Sequence, residues 1–96
     1  MIEVRETAIF SQWLDRLKDD TAVARIQVRI RRLSLGNPGD AKAVGGGVSE
    51  MRVDYGPGYR IYFTARGTEI VILLCGGDKR TQKADIERAK TLANEI

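Results

Sequence analysis

Arg52 and Arg60 stand on the polar parity of two short alternating segments, and Tyr62 follows Arg60 at the same parity. Lys79 and Arg80 come just after the apolar run that follows. Guanidinium and ammonium groups gathered on one sheet face suit a phosphate, because fixed donors hold the charge that develops when a phosphodiester is attacked. The Tyr62 phenol can donate a hydrogen bond or stack on a base. Glu50 and Asp54 share the parity of Arg52, so the arginines also read as members of plain surface ion pairs. Tyr55 and Tyr59 fall on the opposite parity and read as packing residues.

Two further groups of cations lie upstream. Arg25, Arg29 and Arg32 recur at i, i+4 and i+7 on a predicted helix with Arg31 on the flank, forming either a binding ridge or a solvated face paired with acids elsewhere. Lys42, in a stretch expected to be a loop, either reaches over the sheet edge or stays solvated. Between Arg25 and Arg60 there are seven cations and three anions, against a net charge of only +3 for the 96 residues. The middle of the chain is the electrostatic footprint. The sequence has no histidine, so the usual neutral-pH acid–base group is absent, and with one cysteine the familiar Cys/His zinc sites are excluded.

The elements that must position these residues follow from periodicity. Ile2 to Arg5 alternates as a short strand. Ile9, Phe10, Trp13, Leu14 and Leu17 then mark an amphipathic helix capped by Thr7, and Val23, Ile26, Ile30 and Leu33 mark a second, capped by Asp20 or Thr21. Gly36 and Pro38 stop that helix. Gly45, Gly46 and Gly47 lack nucleotide-loop spacing and read as flexible chain before a strand. Ser49–Tyr55 and Tyr59–Ala65 alternate as strands joined at Gly56-Pro57-Gly58, which predicts an antiparallel hairpin. Glu69–Cys75, apolar on both faces, is expected to be the central strand. A last helix places Ile86, Ala89, Ala93 and Ile96 on the core, with Asp78 or Thr81 as cap. Cys75 reads as a small buried hydrophobe.

The length fits one domain over residues 1–96, and 43% hydrophobic with 30% charged residues is ordinary for a globular protein. No positive-then-apolar leader and no apolar stretch near 18 residues is present, so a cytoplasmic protein that does not meet the membrane is expected.

The stretch Glu50-x-Arg52-Val53-Asp54-Tyr55-Gly56-Pro57-Gly58-Tyr59-Arg60-Ile61-Tyr62-Phe63, followed by Leu73-Leu74-Cys75-Gly76-Gly77-Asp78-Lys79, resembles the HigB-like killer-protein branch of the RelE/ParE toxin superfamily. The resemblance implies a RelE-like α+β fold: an N-terminal strand and helical hairpin, then an antiparallel sheet and a C-terminal helix. It also implies the toxin of a type II toxin–antitoxin module, commonly one that cleaves messenger RNA in the ribosomal A site without metal or cofactor. By that likeness Arg60 matches the arginine that stabilises the scissile phosphate. Arg52 matches a basic position on the preceding strand, and Lys79 or Arg80 the basic residue after the last strand. The expected catalytic residues are therefore Arg52, Arg60 and Lys79, and the expected substrate contacts are Tyr62, Arg80, Lys42, Arg29 and Arg32.

The chain lacks the histidine of some superfamily members and a tyrosine after Lys79, leaving Lys79, Asp78 or Glu50 as acid–base candidates. The implied partners are a small DNA-binding antitoxin, which alone would bring the protein to operator DNA, and mRNA on the ribosome. Two alternatives remain within the same resemblance. One is a ParE-like inhibitor of DNA gyrase acting by protein contact through the helical hairpin. The other is a non-toxic module that only binds its antitoxin.

Overall fold

The computed structural model describes residues 1–96 as an α+β molecule built on one five-stranded sheet. In chain order the elements are β1 (Glu3–Glu6), α1 (Ala8–Arg16), α2 (Asp20–Ser34), β2 (Ala41–Gly45), β3 (Val48–Val53), β4 (Tyr59–Arg66) and β5 (Ile70–Gly77). A single 3₁₀ turn, Lys79–Thr81, then leads into α3 (Gln82–Glu95). The strands lie in the order β1-β5-β4-β3-β2, all neighbours antiparallel except β1, which runs parallel to β5. The sheet is thus mixed rather than wholly antiparallel, because the α1–α2 hairpin carries the chain away from β1 and leaves its edge for β5. This is the architecture that the RelE-like resemblance implies.

Alternation along β3 and β4 decides which face each side chain takes. Met51, Val53, Ile61 and Phe63 meet Phe10, Ile26 and Leu33 of the helical hairpin, with Val71 and Leu73 of β5. Each such side chain, fully buried, contributes on the order of 1.5–3 kcal/mol. Val48, Tyr62, Leu74 and Cys75 face the other way and are covered by α3 around Ala89. A bulge in β5 leaves Leu74 without a partner on β4, so that Leu74 and Cys75 both pack on the α3 side.

The helix ends are fixed by side chains. Thr7 Oγ1 accepts from the Phe10 amide at 3.0 Å and donates to the Leu74 carbonyl at 2.6 Å, capping α1 and tying it to β5. Asp19 caps α2, one residue ahead of the expected Asp20, and accepts from the amides of Thr21 and Ala22. Gly36, at φ 87°, closes α2 with the left-handed turn foreseen for it.

Two expectations are corrected. The segment before Gly47 is not a loop: Ala41–Gly45 forms the edge strand β2, paired with β3. Gly46 and Gly47, at φ 63° and 76°, make the two-residue turn of that hairpin, a conformation that other residues adopt only with strain. With β2 added on one side and β1 on the other, the middle of the sheet falls on β4 rather than on the more apolar β5.

Cys75 is 1% exposed, and burial pushes its thiol up to about 11. Native protein is therefore expected to resist an aromatic disulfide reagent at pH 8, where a free thiol near 8.5 would react readily. Labelling should track unfolding in urea, and fast labelling of the native state would contradict this burial. No helix is long and apolar enough to cross a membrane.

Candidate anion-binding cleft

The hairpin of β3 and β4 sets the geometry. Arg52 and Arg60 are direct partners in its register, on the face opposite the helical hairpin, where like charges repel unless something separates or neutralises them. The two guanidiniums take different routes. Arg52 stays half exposed and pairs with Asp40 at 3.0 Å, which holds its proton still more firmly than usual. Arg60 turns inward, 8% exposed, donates from Nη1 to the Gly58 carbonyl at 2.8 Å, and places Nε 3.7 Å from Glu50 Oε2. Gly58 permits this, because its positive φ of 81° forms the turn and a Cβ there would stand 3.2 Å from Arg60 Nη1.

Between these arginines lies an open cleft of about 370 Å³, lined by Arg52, Arg60 and Lys79 together with Asp40, Asp54, Val53, Gly58 and Tyr59. Three cations meet two carboxylates, and Lys79 has no ion-pair partner. The Arg52–Asp40 pair is exposed, so it contributes little and yields easily to a stronger anion. The cleft can hold the two non-bridging oxygens of a phosphodiester against guanidinium donors with an ammonium beside them. Nowhere do three His, Cys, Asp or Glu side chains converge.

Glu50 lies beneath Arg60 and is 0% exposed. Its Oε2 accepts from Tyr62 Oη at 3.0 Å and from Gln82 Nε2 at 2.9 Å, while Oε1 and Arg60 Nε have no hydrogen-bond partner. Burial, together with the neighbouring Glu50 carboxylate, pushes the Tyr62 phenol far above its ordinary value, so it remains a donor.

The structure brings Arg52, Arg60 and Lys79 together and sets the other expected contacts elsewhere. Tyr62 lies on the expected sheet face but is 0% exposed beneath α3, where it cannot meet a base. Arg80 folds back on Asp78, Nη2 to Oδ2 at 2.9 Å, and this pairing holds the Asp78 carboxyl below its usual range. Asp78 also caps the 3₁₀ turn through the Arg80 amide. Lys42 is on β2, opposite Glu50 in register, outside the cleft.

Arg29 is bound to backbone: Nη1 donates to the Arg52 carbonyl, and Nη2 to those of Pro38 at 3.0 Å and Asp40 at 3.5 Å. It fastens α2 to the wall of the cleft. Arg32 lines a separate groove on α2 with Arg25, whose guanidinium lies 4.9 Å over the Tyr55 ring. Tyr59, read as packing, does stack edge-on against Trp13 at 6.2 Å and also lines the cleft.

Residues 12–95 match the family model described as phage derived protein Gp49-like (DUF891). The chain belongs to this Gp49-like family. The family is a toxin-like addiction-module family related to the RelE/ParE type. The Gp49-like chain is also similar to a protein of Haemophilus influenzae that bears the name "Uncharacterized protein". The two are 50% identical over 95 residues, which covers 99% of this chain and 96% of the relative.

Sequence reasoning found the cations but not what holds them. Glu50 reads from the sequence as a neutralising acid or an acid–base candidate rather than as a support for Arg60, although its place opposite Tyr62 in the hairpin register is an available signal. Gln82 gave no signal, since its role depends on how α3 docks. Asp40 reaches Arg52 only because β2 exists.

Proposed function

We propose that this Gp49-like protein is the toxin of a type II toxin–antitoxin module, closest in kind to the HigB-like branch, and that it cleaves messenger RNA on the ribosome. The observation that supports this reading is the convergence of Arg52, Arg60 and Lys79 on one open cleft. In the proposed reaction the RNA 2′-hydroxyl oxygen attacks the adjacent phosphorus and the bond to the 5′ oxygen breaks. The 2′ proton passes to a water molecule, and the Lys79 ammonium donates one to the leaving 5′ oxygen. Arg52 and Arg60 stabilise the added charge on the phosphoryl oxygens. Among the acid–base candidates, Glu50 is sealed in the interior and Asp78 is held by Arg80, while Lys79 lines the cleft, which favours it as the acid for the leaving oxygen.

A small DNA-binding antitoxin covering the cationic face would hold the toxin silent in the cytoplasm. It would also be the sole link to operator DNA. The gyrase reading draws on the α2 ridge, where Arg25, Arg31 and Arg32 make no ion pair within the chain. Arg29, however, is occupied with backbone carbonyls, so the ridge is thinner than its spacing suggests.

Primer-extension mapping of transcripts after induction is expected to show new cleavages in reading frame. Growth arrest without such cleavages would overturn the ribosome-dependent reading. Trapped gyrase–DNA complexes in a supercoiling assay, with toxicity retained in Arg60→Ala, would establish the gyrase reading instead.

A further inference from the structure

We propose that Glu50, Tyr62 and Gln82 are positioning residues that hold the Arg60 guanidinium ready in the cleft. The proposal rests on reading that cleft as a phosphate site. Glu50 belongs to β3, Tyr62 to β4 and Gln82 to the first turn of α3, and all three meet at one carboxylate oxygen, Glu50 Oε2. That oxygen is also the one 3.7 Å from Arg60 Nε.

Glu50 is wholly buried and does not line the cleft, whereas Arg60 does. Glu50 therefore cannot touch a bound anion, and its nearest link to one is the Arg60 guanidinium. A buried ion pair is a poor way to stabilise a fold, because apolar side chains of similar volume commonly do as well or better. Orientation is what the network supplies. A free arginine samples many rotamers and loses them on binding, while Arg60, hydrogen-bonded to the Gly58 carbonyl and held by charge beside the Glu50 carboxylate at 3.7 Å, has lost most of them before the substrate arrives. The protonated Tyr62 phenol and the Gln82 amide fix the carboxylate in turn, so that it cannot swing away from Arg60.

The test uses the purified full chain with Glu50→Gln, which keeps shape and removes charge, and Tyr62→Phe, which removes one hydroxyl. Two readouts are taken on each: the ¹H–¹⁵N relaxation of the Arg60 Nε–H signal, assigned by its loss in Arg60→Lys, and kcat and KM for cleavage of a short mRNA on ribosomes. We expect both variants to melt cooperatively and the Arg60 signal to become mobile. For Glu50→Gln, kcat should fall about 10- to 100-fold, with KM within about twofold.

An Arg60 signal as rigid as in the unaltered protein overturns the proposal, as does a loss of cleavage that merely follows the loss of folded protein. If Glu50→Gln does not fold, Tyr62→Phe decides by the same readouts. Should the unaltered protein cut no mRNA while the Arg60 signal still loosens in the variants, the nuclease reading fails and the positioning role stands.

Discussion

Arg60→Ala is expected to lower cleavage of ribosome-bound mRNA by about 10²- to 10³-fold, the usual effect of removing one donor aimed at developing charge. The same substitution should also destabilise the fold. It strands Glu50, 0% exposed, with only Tyr62 and Gln82 as partners, and breaking a buried pair from one side costs about 3–5 kcal/mol. That is a large share of the roughly 5–15 kcal/mol that holds a domain together. The two effects separate in a pair of variants. Replacing Arg60 and Glu50 together by leucine should recover part of the stability, since no charge is left unpaired although the Tyr62 hydroxyl and Gln82 amide lose their acceptor, yet leave cleavage as low as in Arg60→Ala. Urea unfolding and single-turnover cleavage on the same samples check this. Cleavage restored along with stability in the double variant would remove Arg60 from the chemistry.

The second large effect is expected at Gly76, on β5. A Cβ there would lie 2.3 Å from Trp13 Cε3 and 2.4 Å from Cζ3, well inside contact distance. The indole cannot retreat freely, because it packs on Phe10 at 5.7 Å on one side and on Tyr59 at 6.2 Å on the other. Gly76→Ala should therefore cost about 1–3 kcal/mol or more. The midpoint of thermal unfolding should drop by about 4–8 °C per kcal/mol.

Gly77→Ala is the internal comparison. Its Cβ would meet the Asp85 carboxylate, the mobile end of a side chain that can turn away by giving up its hydrogen bond from Thr81. The loss at residue 77 should be the smaller one. Because Tyr59 forms part of the cleft wall, Gly76→Ala should also weaken cleavage in the protein that remains folded. Adding Trp13→Leu should restore part of the lost stability.

These two residues show where sequence reading succeeds and where it stops. Parity along Ser49–Tyr55 and Tyr59–Ala65 assigned Met51, Val53, Ile61 and Phe63 to one face and Tyr62 to the other, because side-chain direction in a strand is a local property. Parity says which way a side chain points and nothing about what covers it. Tyr62 was therefore placed on the right face yet expected in solvent, where α3 actually lies. Edge strand β2 was missed because Ala41–Gly45 is short and weakly apolar, and its pairing comes from the neighbour β3 and from the Gly46–Gly47 turn. Gly76 gave no hint in sequence of an indole at van der Waals range, since that contact joins α1 to β5 across more than 60 residues. Arg52, Arg60 and Lys79 could be grouped because a single hairpin and the turn that follows the next strand carry them.

The parallel pairing of β1 with β5 couples Glu3 to Ile70 and Glu6 to Leu73. A contact between residues so distant in the chain cannot form during the early part of translation. The first strand must wait, unpaired, until β5 has been made. The cleft waits longer, for it needs Lys79, and the carboxylate beneath Arg60 needs Gln82. For a protein proposed to cut the message on a ribosome, this order of assembly has a plain benefit: the ribosome still producing it is in no danger from the unfinished chain.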